Sequence, residues 1–214
     1  NFFSGSYPHF STNDQQHQTV LYDSGGIDTY NYSSHEADET IDLRQGTWSS
    51  INGVRMSLST AYLTVIENAR GGSGDDNIRG NEIANLLFGN EGDDVLRGGG
   101  GNDALRGGAG DDTYIWSNGD GRDLILEQGL GGVDRLMIMD PSGAVDSLDD
   151  DFGFRKFGND LRIDLTYNQG SGQGTVLIRD FETAESQIEI LQIHDANGNQ
   201  IGNDIDLLSV YDQA

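Results

Sequence analysis

No cysteine occurs among the 214 residues. Disulfides and thiolate metal sites are therefore excluded. Basic residues are scarce, 12 against 36 acidic, which leaves a net charge of −24. Binding nucleic acid requires a basic face, so nucleic acid is not expected as a partner, and an anionic membrane surface is disfavoured by the same sign. Polyanionic substrates are repelled too, unless bound cations reverse the local field. No run approaches the roughly 18 apolar residues of a membrane-spanning helix, so no membrane insertion is expected. The opening residues Asn1-Phe2-Phe3-Ser4 have no basic n-region and no apolar h-region. The expectation is either an excised piece or export by another route. The length suits one domain, or two small ones in continuous contact.

Glycine is what the chain has in place of these. Gly71, Gly80, Gly89, Gly98 and Gly107 recur every nine residues without slippage. The sixth position of each unit reads Asp76, Asn85, Asp94, Asp103 and Asp112; the eighth reads Ile78, Leu87, Leu96, Leu105 and Tyr114. A Gly-Gly-x-Gly-x-Asp-x-apolar-x unit predicts a calcium-binding parallel β-roll. Six residues make a tight turn in which glycine takes positive φ. Three more make a minimal strand whose middle residue points inward. Two units complete one coil, so units n and n+2 stack, and their turns face each other with carbonyl and carboxylate oxygens. Such an all-oxygen cage suits a hard cation, Ca²⁺. A disordered Gly/Asp linker has no use for an apolar residue at every ninth position.

The candidate metal-binding positions follow from this register. They are Gly72, Gly74 and Asp76; Gly89, Asn90, Glu91, Gly92 and Asp94; Gly98, Gly99, Gly100, Gly101 and Asp103; and Gly107, Gly108, Ala109, Gly110 and Asp112. Turn 80–85 lacks the fourth-position glycine and offers neutral Asn85, so its pairing with 98–103 is expected to be the weakest site. The pairs 71–76 with 89–94 and 89–94 with 107–112 are expected to be the strongest. After Tyr114 the register slips by two, and Gly119, Gly121 and Asp123 read as a further turn with an insertion. Gly131-Gly132-Val133-Asp134 reads as a half-turn able to close a site, with Asp134 its carboxylate. Arg79 and Arg97 fall outward on one sheet, as an anion-binding ladder or as a solvated face paired with acidic turns.

This stretch resembles the RTX (repeats-in-toxin) proteins, secreted bacterial proteins that fold on meeting external calcium. Upstream, Asp23-Ser24-Gly25-Gly26-Ile27-Asp28-Thr29, Thr40-Ile41-Asp42-Leu43 and Val65-Ile66-Glu67-Asn68-Ala69-Arg70-Gly71-Gly72-Ser73-Gly74 resemble the C-terminal domain of serralysin-type metalloproteases. Downstream, Asn118-Gly119-Asp120-Gly121-Arg122-Asp123-Leu124-Ile125 and Gly131-Gly132-Val133-Asp134-Arg135-Leu136 resemble the segment that follows the repeats in other RTX exoproteins. The resemblance implies a lead-in calcium site with Asp23, Gly25, Gly26 and Asp28 on one side and the Val65 carbonyl and Glu67 on the other. It also implies several calcium ions, about four to seven, a secreted or cell-surface location, and a further domain upstream in the same polypeptide. Two settings remain open: the accessory end of a zinc protease or other exoenzyme, and the end of a giant surface adhesin. The acid/apolar alternation from Asp204 to Ala214 resembles the uncleaved signal read by type I secretion machinery, and an ordinary edge strand fits it as well.

The chain is thus expected to be all-β, a calcium-binding parallel β-roll with a strand-rich lead-in and a β-sandwich-like C-terminal cap. Residues 1–18 read as linker, 19–70 as a lead-in sheet, 71–125 as the roll, 126–200 as a strand cap and 201–214 as the candidate secretion signal. Lead-in strands are expected at Thr19–Tyr22, Thr29–Tyr32, Thr40–Leu43 and Tyr62–Ile66. Cap strands are expected at Leu136–Met139, Leu161–Tyr167, Thr175–Ile178 and Ile188–Ile193, with single helical turns at Ala144–Asp151 and Glu182–Gln187. No catalytic constellation is read. His35-Glu36-Ala37-Asp38-Glu39 has glutamate where a zinc-protease helix needs its second histidine. His9, His17 and His194 are isolated. The paired aspartates 75/76, 93/94 and 111/112 fall in turn register. The reading is a non-catalytic module that couples calcium binding to folding.

Overall fold

Inward-facing side chains at nine-residue spacing build two sheets. The computed structural model describes residues 19–22, 25–127, 131–140, 152–166, 173–181, 188–195 and 197–212. The first sheet contains β1 (Thr19–Leu21), β3 (Thr40–Asp42), β4 (Trp48–Ile51), β5 (Val54–Thr60), β7 (Asn77–Arg79), β9 (Val95–Arg97), β11 (Thr113–Ser117), β13 (Arg135–Asp140), β17 (Ile190–Asp195) and β18 (Ile205–Asp206). The second contains β2 (Thr29–Asn31), β6 (Asn68–Arg70), β8 (Leu86–Glu91), β10 (Ala104–Ala109), β12 (Arg122–Ile125), β14 (Phe152–Phe157), β15 (Asp160–Thr166) and β16 (Gln173–Ile178). The chain alternates between them, so β7, β9, β11 and β13 run parallel on one side, and β6, β8, β10 and β12 on the other.

Pairing follows the repeat. Ile78 sits beside Leu96, which sits beside Tyr114; Ala69, Leu87 and Leu105 line up opposite. All of these are buried, at 2% exposure or less. The register then stretches: Leu105 aligns with Ile125 and Tyr114 with Leu136, because the loops before β12 and β13 are longer. From there the core thickens from one row to two. Trp116, Ile138 and Ile193 add a second row, against Val176 and Ile163. Gly174 leaves room for the Trp116 ring, into which a Cβ at that position would run. The sandwich-like distal part continues the roll's own sheets, β13 and β17 on one side and β16, β15 and β14 on the other.

Three sequence expectations are corrected. The fourth lead-in strand is not Tyr62–Ile66: β4 and β5 form an antiparallel pair ahead of it. Tyr62 and Leu63 are 78% and 91% exposed, and Leu63 has a φ of 69°, which breaks an extended run. The strand β14, antiparallel to β15, was not expected at all. The C-terminal alternation is not one edge strand. β18 is followed by a short helix, α1 (Leu207–Tyr211), capped by the Asp206 carboxylate, which accepts from the N–H groups of Leu208 and Ser209. Leu207 and Tyr211 are buried one helical turn apart. The linker 1–18 with His9 and His17, Asp23, Tyr167, and the helical turns expected at 144–151 and 182–187 lie outside the described residues.

Candidate metal centres along the turn edges

The turns connecting the two sheets form two edges, and each edge carries a ladder of carboxylates. On one edge the N–H of Glu39 donates to Oδ1 of Asp76 at 2.8 Å. Asp76 N–H donates likewise to Asp94, Asp94 to Asp112 and Asp112 to Asp134, at 2.8–2.9 Å. Asp134 N–H donates to Oε2 of Glu189 at 2.7 Å. On the other edge Asp28 N–H donates to Oε2 of Glu67, Asn85 to Asp103 and Asp103 to Asp123. Each sixth-position side chain thus caps the coil before it. The Asp rungs are 0–6% exposed. A second, exposed ladder runs outside the first edge in the opposite sense. There Asp75 N–H donates to Asp38, Asp93 to Asp75, Asp111 to Asp93 and Val133 to Asp111.

The turns fall into two backbone types. In 89–94, 98–103 and 107–112 both the second and the fourth residue have positive φ: Asn90 and Gly92, Gly99 and Gly101, Gly108 and Gly110. Gly119 and Gly121 repeat this ahead of Asp123. Turns 71–76 and 80–85 do not. There the second-position N–H points back to the sixth side chain, Gly72 to Asp76 Oδ2 and Asn81 to Asn85 Oδ1, at 2.7 and 2.8 Å. Ile83 explains turn 80–85, since a branched side chain resists positive φ. Turn 71–76 keeps its glycines but rests on residues 35–38: a Cβ at Gly72 would strike the His35 carbonyl, and one at Gly74 the Ala37–Asp38 peptide. Its full sequence match is therefore not a full geometric match.

This difference decides which carboxylates have capacity left. Asp76 has both oxygens bonded by amides. Asp94, Asp103 and Asp112 each have one, while their Oδ2 atoms are buried and meet no donor among the described residues. A buried, ionised, half-satisfied carboxylate is expensive. Burial pushes Asp94 up to about 8, the Asp112 and Asp76 charges adding to it. Burial likewise pushes Asp103 and Asp112 up to about 7, and Asp123 and Asp134 up to about 8. Backbone carbonyls face these turns from the neighbouring coil: a Cβ at Gly110 would run into the Gly92 carbonyl, at Gly121 into Gly101's and at Gly132 into Gly110's. A hard divalent cation fits this donor set, relieving burial and repulsion together.

The other expected ligands distribute unevenly. Asp28 and Glu67 meet in the lead-in, with Gly25 and Gly26 in positive φ beside Asp28 and Val65 two residues before Glu67. Asn90 donates through Nδ2 to the Gly71 carbonyl at 2.7 Å. Glu91 is exposed at the end of β8, and Ala109 ends β10 beside it in register. Gly89 and Gly107 carry no room for a side chain, the carboxylates of Asp94 and Asp112 lying against them. Gly98 and Gly100 stand against Asp103 and Glu82 in the same way. His35 and Glu39 are not on a helix; His35 Nδ1 pairs with Glu39 Oε1, which closes the first ladder. Arg97 donates to Ser117 Oγ at 2.9 Å and lies 3.7 Å from Asp120.

Sequence reasoning missed four carboxylates. Glu39 and Glu189 end the first ladder but belong to no nonapeptide. Asp120 is buried within the inserted loop. Glu127 lies after β12, yet Asp112, Glu127 and Asp134 bring one carboxylate oxygen each within 4.8 Å of one another, all three buried. The one sequence signal for Glu127 is a charge ending the apolar run Leu124-Ile125-Leu126.

The family model "Peptidase M10 serralysin C terminal" matches residues 1–207. Among curated proteins, the chain is 45% identical over 62 residues to a serralysin of Proteus mirabilis, a match covering 29% of this chain and 13% of that protein. It is 46% identical over 61 residues to serralysin G of Dickeya chrysanthemi, 28% of this chain and 13% of that protein. The matched stretch is thus only a small part of the relatives' length. Among solved structures, the extracellular lipase LipA of Serratia marcescens aligns at 20% identity with a TM-score of 0.27, covering 74% of this chain and 33% of that one.

Proposed function

The chain belongs to the serralysin C-terminal family of M10 peptidases, and from that premise we propose that it is a calcium-loaded folding module of a secreted protein. The observation that carries this reading is the set of buried oxygens on Asp94, Asp103 and Asp112 that meet no donor among the described residues. Each ladder stacks ionisable carboxylates at the spacing of β-strands, where like charges repel. A cation on the remaining oxygens converts that repulsion into cross-linking between coils. Asp94 with Asp112 would hold one ion, Asp103 with Asp123 another, and Asp112 with Glu127 and Asp134 a third. Asp28 and Glu67 would hold the lead-in ion. Calcium supplies charge neutralisation and oxygen coordination; it supplies no reaction. The chain's residues orient carbonyls, exclude water beneath the turns and hold neighbouring coils in register.

On this reading the module stays unfolded where calcium is scarce and folds outside the cell, where calcium is plentiful. That suits passage through a type I secretion channel. An upstream catalytic domain, as in the serralysins, is the proposed companion on the same polypeptide. The module itself takes no catalytic role. Crystals grown in millimolar calcium test the reading: metal peaks 2.3–2.6 Å from oxygen ligands are expected between turns 89–94 and 107–112. Empty turns there under those conditions overturn it.

A further inference from the structure

Tyr114 breaks the pattern of the eighth position, where the other four units carry the aliphatic Ile78, Leu87, Leu96 and Leu105. Its ring is fully buried in the same row, but its hydroxyl reaches polar partners. The hydroxyl oxygen accepts from the N–H of Gly107 at 2.6 Å and donates to Oε2 of Glu127. The place where this happens is informative. In the earlier coils the first-position amide bonds a carbonyl of a following coil, Gly71 to Phe88 and Gly80 to Arg97. At Gly107 the following coil departs: β12 ends at Ile125, Leu126 N–H still reaches the Leu105 carbonyl, and Glu127 is the next residue, already outside the strand. The tyrosine hydroxyl takes over the amide and fixes the departing glutamate.

We infer that Tyr114 is the positioning residue for Glu127, holding its carboxylate toward Asp112 and Asp134. The inference rests on the calcium reading of that cluster. A ligand whose second interaction is a buried hydroxyl is set in orientation before the ion arrives, and loss of such a partner weakens metal binding by about 10–100-fold. The phenol also separates two sources of support: its ring serves the core, and its hydroxyl serves Glu127. Tyr114→Phe removes only the second.

Calcium titration calorimetry on the whole chain, with Y114F, E127Q and the double variant, tests this. Y114F is expected to weaken one ion about 10–100-fold and leave the others unchanged, and to add nothing in the E127Q background. E127D keeps the charge but withdraws it from the hydroxyl, so it should weaken the same ion even if Y114F does not fold. Wild-type affinity in Y114F or in E127D overturns the inference, as does an equal effect of Y114F with and without E127Q. An E127Q variant that binds calcium as wild type overturns the calcium reading of the cluster itself. If E127Q loses an ion while Y114F keeps it, only the positioning role falls.

Discussion

The backbone N–H of Asp94 donates to Oδ1 of Asp112, 18 positions along the chain, at 2.9 Å, while Asp94's own Oδ1 accepts from Asp76 at 2.8 Å. Asp94 is therefore a middle rung, bonded on both sides, and its Oδ2 meets no donor among the described residues. Asp76 is an equally buried rung with both oxygens occupied. Asp94→Ala should raise the calcium midpoint of folding by the loss of one ion, about 1.4 kcal/mol at millimolar calcium and a Kd near 10⁻⁴ M. Asp76→Ala should lower the melting temperature but leave the number of bound ions nearly intact. Titrations followed by circular dichroism compare them; equal shifts in calcium midpoint contradict the difference between the two rungs.

Proton and cation compete for the same oxygens, which fixes the sign of the pH dependence. The folded-state carboxyls of Asp94, Asp123 and Asp134 are raised to about 8 and those of Asp103 and Asp112 to about 7, from 3.8. Burial is the leading cause for each. In chelator their ionisation opposes folding, an opposition absent below about pH 4 that grows until about pH 8. The chain in chelator should therefore hold the most β structure near pH 4 and lose it as the pH rises towards 8. In saturating calcium the trend should reverse, and calcium binding at pH 7 should release protons. Calorimetry in buffers of different ionisation enthalpy reads that release directly; a binding heat independent of buffer contradicts it.

Two glycines separate backbone strain from steric exclusion. Gly119 has a φ of 95° with open space where a Cβ would go, whereas Gly110, at 130°, faces the Gly92 carbonyl of the neighbouring coil. Gly119→Ala should cost about 1–2 kcal/mol, the penalty of left-handed backbone. Gly110→Ala adds overlap with another main chain and should exceed about 4 kcal/mol, the range of exceptional substitutions. Melting in calcium orders the two. Comparable losses would mean that the coils are spaced more loosely than the ladders require.

The roll was legible because its unit repeats. Ile78, Leu96, Ala69, Leu87 and Leu105 stand where a nine-residue period places them, and Asp76, Asp94 and Asp112 stack as the sixth position predicts. What was not legible depends on partners distant in sequence. Turn 71–76 matches the motif in full, yet its backbone answers to His35 and Ala37. Glu127 joins Asp112 and Asp134 only through an insertion that breaks the period. Leu207 and Tyr211 read as part of an alternation, but a four-residue spacing equally serves one face of a helix, and Asp206 caps that helix.

The weak turn offers a gain-of-function test. Ile83 is 41% exposed, so its removal takes little from the core. Ile83→Gly with Asn85→Asp should let turn 80–85 adopt the left-handed backbone of 98–103 and present a carboxylate to it. One additional ion is expected by calorimetry. At a calcium level that folds wild type without filling the new turn, the same variant should be less stable than wild type, since Asn85 Nδ2 now donates to the Glu67 carbonyl at 2.8 Å. An unchanged ion count means that backbone type does not decide which turns bind.

The central claim is that calcium on the carboxylate ladders decides whether this chain is folded. Far-UV circular dichroism of the whole chain at neutral pH, first in chelator and then through a calcium titration with bound ions counted in parallel, tests it most directly. The account predicts little β signal in chelator and a cooperative rise to a β spectrum, complete when at least about four ions are bound. A full β spectrum in chelator, unchanged as calcium is added, would contradict it.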